Sequence, residues 1–313
     1  MGLRVVFMGT PAFAVPSLVA LDKAFDVSLV VTRPDAVRGR GHALVPSAVK
    51  SCAKELGLPV LEAKKIGPSQ LEAIRGAAPD VVAVAAFGAI LPDELVGTGI
   101  ARFGSVNVHG SLLPRWRGAA PIQRAILAGD TRLGISIMRV VHDLDAGPWC
   151  RQASIEAGSL GAEEVMTRLA DLGAQELVAA LKGLSSGALV WHEQDEAYAS
   201  YAKKIEKSEM LLRTKEPALM NLRRIRAATD AAPARFIIGK HGVRALSAQL
   251  VLPEDAAAKA LAAGQLLFER GRVLLGCDDG ALELLSVKPD GKRAMSASAW
   301  ATGVHSALNW REA

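Results

Sequence analysis

Six consecutive apolar residues, Val81-Val82-Ala83-Val84-Ala85-Ala86, narrow the choice of fold more than any other stretch of this chain. A strand without a polar position has no face to give to water, so it must be covered on both sides, as in a parallel sheet flanked by helices. Leu3 to Met8 and Val27 to Thr32 read as further buried strands, and Pro59 to Leu61, Gly104 to Val108, Ile135 to Val141 and Trp149 to Ile155 add four more. Helical patterns fall between them. Val15 to Lys23 carries Pro16 in its first turn, Ser47 can cap a helix running to about Leu56, and Ser69 to Ile74, Ala120 to Ala128 and Ala162 to Leu184 follow. Alternation of strand and helix from residue 3 to about residue 184 predicts one doubly wound α/β domain.

The first turn limits what that sheet can bind. Gly9-Thr10-Pro11 places a proline where a dinucleotide-binding turn needs a second glycine to let the backbone approach a pyrophosphate, which argues against NAD. After the second strand comes a long loop with no apolar period, Arg33-Pro34-Asp35-Ala36-Val37-Arg38-Gly39-Arg40-Gly41-His42, a type of segment that is often functional.

With 313 residues the chain exceeds one ordinary domain, and the pattern changes near residue 190. Val190 to Lys207 is mixed and polar, as a linker would be. Ala234 to Ile238, Val243 to Leu252, Gln265 to Glu269, Arg272 to Gly276 and Ala281 to Val287 then read as short strands, with Ser296 to Thr302 as a closing helix. Short strands at this spacing predict a small β-barrel. The expected division is residues 1–189, a linker at 190–207, and a barrel at 208–313.

The net charge of +5 is unevenly placed. Residues 203–313 carry 18 Lys+Arg against 12 Asp+Glu (+6), whereas residues 1–202 carry 19 against 20 (−1). A basic C-terminal part suits a partner with phosphates, although a solvated basic face has the same composition. The three cysteines, Cys52, Cys150 and Cys277, are too far apart and too few for a disulfide framework or a zinc ribbon, which points to reducing cytosol. No apolar run approaches the length of a membrane span, and Leu3 to Val15 lacks the basic start and cleavage site of a signal peptide.

Chemistry concentrates in Asn107-Val108-His109-Gly110-Ser111-Leu112-Leu113-Pro114-Arg115-Trp116-Arg117-Gly118. On a strand, Asn107 and His109 point the same way. Gly110, Pro114 and Gly118 then break the chain into a loop, at the strand end where open α/β sheets place their sites. A satisfied core histidine beside an ordinary turn would carry the same residues. A neutral imidazole can take a proton from an attacking amine, a nearby carboxylate such as Asp145 would orient the ring, and an asparagine amide can donate to an oxyanion. The set suits attack on an activated carbonyl without a covalent enzyme intermediate. Ser111 is not in a Gly-x-Ser-x-Gly elbow, and His109, His142, Asp143 and Asp145 lack the spacing of a metal site, so no metal is expected.

Phe87-Gly88-Ala89-Ile90-Leu91-Pro92, the Asn107 to Pro114 run and Leu144-Asp145-Ala146-Gly147 resemble the signatures of formyltransferases that use 10-formyltetrahydrofolate. Arg115-Trp116-Arg117-Gly118-Ala119-Ala120-Pro121-Ile122-Gln123, the Gly9-Thr10-Pro11 turn, the Gly39-Arg40-Gly41 loop and Gly291-Lys292-Arg293-Ala294-Met295-Ser296 resemble those acting on methionyl-tRNA. The resemblance implies a Rossmann-like, mostly parallel sheet for the first domain and an OB-like fold for the barrel, and formyl transfer from 10-formyltetrahydrofolate to the amino group of methionyl initiator tRNA for translation initiation. It implies Asn107, His109 and Asp145 as catalytic residues, Ser111, Leu112, Leu113 and Pro114 as folate-binding, and Phe87 and Gly88 as a strand end whose backbone borders the pterin. For tRNA it implies Arg40 in the basic loop near the acceptor end; by charge, Arg38 in that loop and Lys204, Lys207, Lys240, Arg244, Lys292 and Arg293 in the basic C-terminal part are expected to meet the tRNA backbone. A cytoplasmic monomer with no membrane partner is expected. His42-Ala43, Leu211-Leu212-Arg213-Thr214 and Ala228 to Pro233 depart from the family's usual residues.

Two competing readings are a formyltransferase acting on a small amine, such as an amino sugar nucleotide or glycinamide ribonucleotide, and a nucleic-acid-binding protein with an inactive enzyme domain. The basic C-terminal part and the Arg115 to Pro121 run argue against the first. The intact Asn107, His109 and Asp145 argue against the second.

Overall fold

Residues 2–37, 44–304 and 309–313 are described in the computed structural model of the chain. Val81–Ala85 is the middle of a seven-stranded sheet; beside it Arg4–Gly9 pairs in parallel with Val81–Ala85 on one side and Asp26–Thr32 on the other. Val60–Glu62 extends the sheet in parallel beyond Asp26–Thr32, and Ser105–His109 lies parallel to Val81–Ala85. Arg132–Arg139 and Trp149–Glu156 complete the other edge in antiparallel pairing. The sheet is therefore mostly parallel, and every residue of Val81–Ala85 is buried, as its unbroken apolar run predicts.

Local signals place the helices. Ser47 caps Ala48–Glu55 by accepting from the Lys50 amide at 2.9 Å. The Lys50 ammonium then holds Asp35 (2.6 Å) and Glu62 (2.7 Å), tying this helix to the ends of two strands. Gly173, in the helix Ala162–Ser185, lets that helix approach the strand carrying Asn107 and His109. A Cβ there would stand 2.7 Å from a Val108 methyl, closer than packed side chains tolerate.

Two compact units divide the chain. The first holds residues 1–121, 132–156 and 166–202, and with them the parallel sheet. Residues 191–202 belong to it, although they fall in the span read as a linker. Trp149 and His192 exchange backbone hydrogen bonds and stack their rings at 4.5 Å, and Tyr201–Ala202 pairs in parallel with Arg117–Gly118.

The second unit holds residues 122–131, 157–165 and 203–313. Its strands run Leu266–Glu269, Arg272–Gly276, Ala281–Pro289, His241–Leu250, Arg235–Ile238 and Trp310–Arg311 in spatial order, all antiparallel. A bridge from Gln265 to Asn309 joins the two outer strands, giving the nearly closed, barrel-like sheet expected of an OB-like domain. Its core sets Phe236 edge-on to Trp300 and Trp310 at 6.3 and 6.2 Å, and the Trp310 indole N–H donates to the Gly276 carbonyl. The helix Ala218–Ala227, which no apolar period announces, packs against His241–Leu250.

Candidate active site

The strand Ser105–His109 supplies the first two site residues. Asn107 pairs across the sheet with Val84, so the chain leaving Val81–Ala85 toward Phe87 and Gly88 and the chain leaving His109 toward Ser111 depart from neighbouring strand ends. Asn107 is half-buried, and its side-chain amide has no hydrogen-bond partner among the described residues. His109 is buried.

The loop after His109 is tightly bonded to its surroundings. Ser136 is the hub: its hydroxyl donates to the Ser111 carbonyl (2.7 Å) and accepts from the Leu113 amide (3.0 Å). The Gln152 amide donates to both the Leu113 carbonyl and the Ser136 hydroxyl, each at 2.9 Å. The Ser111 hydroxyl donates to the Arg115 carbonyl at 2.6 Å, so it is committed to loop structure rather than poised as a nucleophile. Further on, Gly118 adopts φ +118°, and a Cβ there would meet the Ala202 carbonyl at 2.9 Å, so the close strand pairing requires glycine.

His109 meets Asp145 across this loop. The ring Nε2 lies 2.9 Å from the Trp116 carbonyl oxygen, and Nδ1 lies 3.6 Å from Oδ2 of Asp145. A carbonyl oxygen can only accept, so Nε2 carries the hydrogen of that bond, and the lone pair of a neutral ring is at Nδ1 on the Asp145 side. Oδ2 of Asp145 also accepts from the Gly118 amide at 2.8 Å. A ring that gains a proton here has an acceptor facing each nitrogen.

The expected folate-binding residues divide between side chain and backbone. The Phe87 side chain is buried in the core of the first unit, leaving its backbone for any ligand contact, and its carbonyl accepts from the Thr10 hydroxyl at 3.1 Å. Gly88 has φ +82°, and its carbonyl accepts from Arg33 at 3.3 Å. Ser111 and Leu113 are buried, whereas Leu112 and Pro114 keep part of their surface exposed. Among the described residues no three His, Cys, Asp or Glu side chains gather as metal ligands. His142 instead lies 3.0 Å from Asp93 at the surface.

Arg117, which the sequence marks only as part of a motif, and several residues that gave no signal there hold this site. Arg117, 2% exposed, donates through Nε to the Gln194 side-chain oxygen (2.9 Å) and through both terminal nitrogens to Glu196 (3.1 and 2.7 Å). The Gln194 amide donates to the carbonyls of Asp145 (2.8 Å) and Gly147 (2.7 Å). Arg117 is itself held above, and Glu196 below, its ordinary pKa by the bond between them. Ser200 accepts from the Trp116 amide at 3.0 Å. These partners are far apart in sequence, and Gln194, Glu196 and Ser200 lie in a polar stretch without period.

Residues 3–181 match the formyl transferase family, and residues 204–305 match the formyl transferase C-terminal domain. The methionyl-tRNA formyltransferase of Methylococcus capsulatus is 42% identical over 298 residues, spanning 94% of this chain and 95% of that protein. The chain belongs to the methionyl-tRNA formyltransferase family. The enzyme of that name from Halorhodospira halophila is 40% identical, across 97% of each chain. The fold is also that of an N-formyltransferase from Helicobacter canadensis solved with folinic acid and dTDP-3-aminofucose. That likeness has a TM-score of 0.66 at 16% identity, over 91% of this chain and 99% of that one.

The residues expected from the sequence to meet tRNA are placed as follows. Arg38 and Arg40 lie outside the described residues. Lys207 and Arg244 line one cavity of about 310 Å³ with Ser208, Leu211, Asp230, Pro233 and Arg235. Arg244 lies 3.5 Å from Asp230 there. Lys204 offers its backbone carbonyl to Arg124 at 3.0 Å. Lys240 is exposed on the turn between two barrel strands. Lys292 and Arg293 are exposed on the turn after Asp290, whose amide bonds to the Gly242 carbonyl. No described helix is long and apolar enough to cross a membrane.

Proposed function

We propose that this chain transfers the formyl group of 10-formyltetrahydrofolate to the free amino group of methionyl initiator tRNA, yielding N-formylmethionyl-tRNA and tetrahydrofolate. The observation that carries the reading is the meeting of His109 with Asp145, beside the free amide of Asn107, in a chain whose two parts both match formyltransferase domains. The amine nitrogen attacks the formyl carbon. Asn107 donates to the formyl oxygen as it becomes an oxyanion, which is worth roughly two to three orders of magnitude in rate when such a donor is well placed. The proton lost by the amine goes to Nδ1 of His109, directly or through one water, and Asp145 stabilises the charged ring. Collapse of the adduct breaks the carbon–nitrogen bond to the folate, and that nitrogen takes up the proton held by His109, directly or through water, which restores the neutral ring.

The folate is read as lying against the Leu112-Leu113-Pro114 turn and the Phe87-Gly88 backbone, an apolar wall with a few backbone groups. The tRNA is read as following the basic groups of the C-terminal part, with Arg38 and Arg40 reaching its acceptor end. Neutralised phosphates release counterions, so its binding weakens steeply with salt. No divalent ion is assigned to the chemistry.

The test offers the protein 10-formyltetrahydrofolate with charged initiator tRNA, free methionine or an amino sugar nucleotide, and follows tetrahydrofolate release. Release with the charged tRNA and not with the small amines is expected. Release with a small amine and none with the tRNA would overturn the reading. Arg40→Ala is expected to lower tRNA use far more than folate affinity, and an equal loss in both would remove that loop from tRNA binding.

A further inference from the structure

Asp145 has a main-chain φ of +50°, in the left-handed region that few side-chain-bearing residues enter and that aspartate tolerates better than most. Its two ends are held separately. The carboxylate accepts from the Gly118 amide, and the main-chain carbonyl accepts from the side-chain amide of Gln194. The second hydrogen of that same amide goes to the Gly147 carbonyl, so both donors of Gln194 are spent on the turn that carries Asp145.

Arg117 decides which way the Gln194 amide faces. Its Nε–H donates to the Gln194 oxygen, and a flipped amide would set its NH2 against the guanidinium and its oxygen against two carbonyls. The guanidinium is fixed in turn by the paired bonds to Glu196. The main chain of Arg117 donates to the Ser200 carbonyl at 2.8 Å, and the next residue is the Gly118 that holds the Asp145 carboxylate. One dipeptide, Arg117-Gly118, thus reaches Asp145 by two routes: through Gln194 to its backbone and directly to its side chain.

We propose that Arg117 and Gln194 are positioning residues for formyl transfer: they hold Asp145 in register with His109 without touching either substrate. The inference rests on the catalytic reading of Asp145. Displacing a reacting group by about 1 Å can cost roughly 100-fold in rate. Removal of the Gln194 donors therefore acts on the chemical step and leaves substrate binding in place.

The experiment measures kcat, and KM for both substrates, in the full chain carrying Gln194→Leu, Asp145→Asn or both, with thermal unfolding of each variant alongside. Gln194→Glu serves in place of Gln194→Leu if the latter does not fold, because an ionised carboxylate keeps the shape and loses both donors. The expected result is a loss of kcat approaching 100-fold for the Gln194 variant with each KM within about twofold of wild type. The double variant is expected to be no slower than Asp145→Asn alone. Arg117→Lys, which keeps the charge and loses the fork, is expected to show the same pattern in weaker form. A raised KM with unchanged kcat, or losses that multiply in the double variant, would overturn the positioning role. An impaired Asp145→Asn beside a fully active Gln194 variant would overturn it alone. Wild-type turnover by Asp145→Asn would instead remove Asp145 from the chemistry, and this inference with it.

Discussion

Nδ1 of His109 lies 3.6 Å from Oδ2 of Asp145, and the same oxygen accepts from the Gly118 amide. The carboxylate is therefore fixed by the loop and does not depend on the histidine to hold it in place. Asp145→Asn keeps the volume but removes the charge that faces a protonated ring. Its kcat is expected to fall by at least about 100-fold, the low end of what general acid–base groups contribute, with folate affinity retained. Steady-state kinetics with equilibrium folate binding checks this. A variant that loses folate affinity in proportion to turnover would assign Asp145 to binding.

Asn107 offers a different prediction, because its amide has no internal hydrogen-bond partner among the described residues. Asn107→Ala should leave the melting temperature within a degree or two, since no internal bond is broken, while kcat falls by roughly two to three orders of magnitude. Differential scanning fluorimetry and turnover measured on one preparation separate the two effects. A large drop in melting temperature would mark the amide as a structural group.

The parallel sheet was legible because its strands are short apolar runs between helical patterns, and both-face burial leaves no other reading of Val81 to Ala85. Asn107 and His109 were legible as a pair from strand alternation alone. The holders of the site were not. Gln194 meets Asp145 across 49 positions, and nothing in a polar stretch at 190–207 signals that its amide is spent on two carbonyls. Two-residue strands such as Arg117–Gly118 and Tyr201–Ala202 are too short to show a period. The helix Ala218–Ala227 escaped for another reason. It buries Asn221 and Arg224 and satisfies them with Arg213, Glu209 and Glu216, so its inward face does not read as apolar.

The cysteines should be slow toward thiol reagents. Burial pushes the Cys150 thiol up to about 12 and Cys277 up to about 11, and Cys52 is also raised by burial and by the nearby Glu55 and Asp22. Little thiolate is present near pH 8, and only thiolate reacts. Titration with a chromogenic disulfide at pH 8 is expected to be slow on the native protein and to reach three equivalents rapidly after denaturation. Fast reaction of all three in the native state would contradict this burial.

Stability should fall on the acid side. Arg117 holds Glu196, Arg124 holds Glu209 and Arg272 holds Asp255 below the ordinary carboxylate range. A carboxylate with a depressed native pKa takes up its proton more readily in the unfolded chain. Its contribution is therefore present above the ordinary range and lost as pH drops through the native value. Melting temperatures measured from pH 7 downward are expected to hold to about pH 5 and then decline. A rise on acidification would show that these pairs do not favour the fold.

Formyl transfer to tRNA at the His109 site is tested most directly by one comparison of wild type with His109→Ala. Each is mixed with 10-formyltetrahydrofolate and charged initiator tRNA, and formylmethionyl-tRNA and tetrahydrofolate are measured together over time. The wild type is expected to produce the two in equal amounts, and His109→Ala to bind folate normally while turning over at least about 100-fold more slowly. Formyl transfer to the tRNA by His109→Ala at close to the wild-type rate, or none by the wild type, would contradict it.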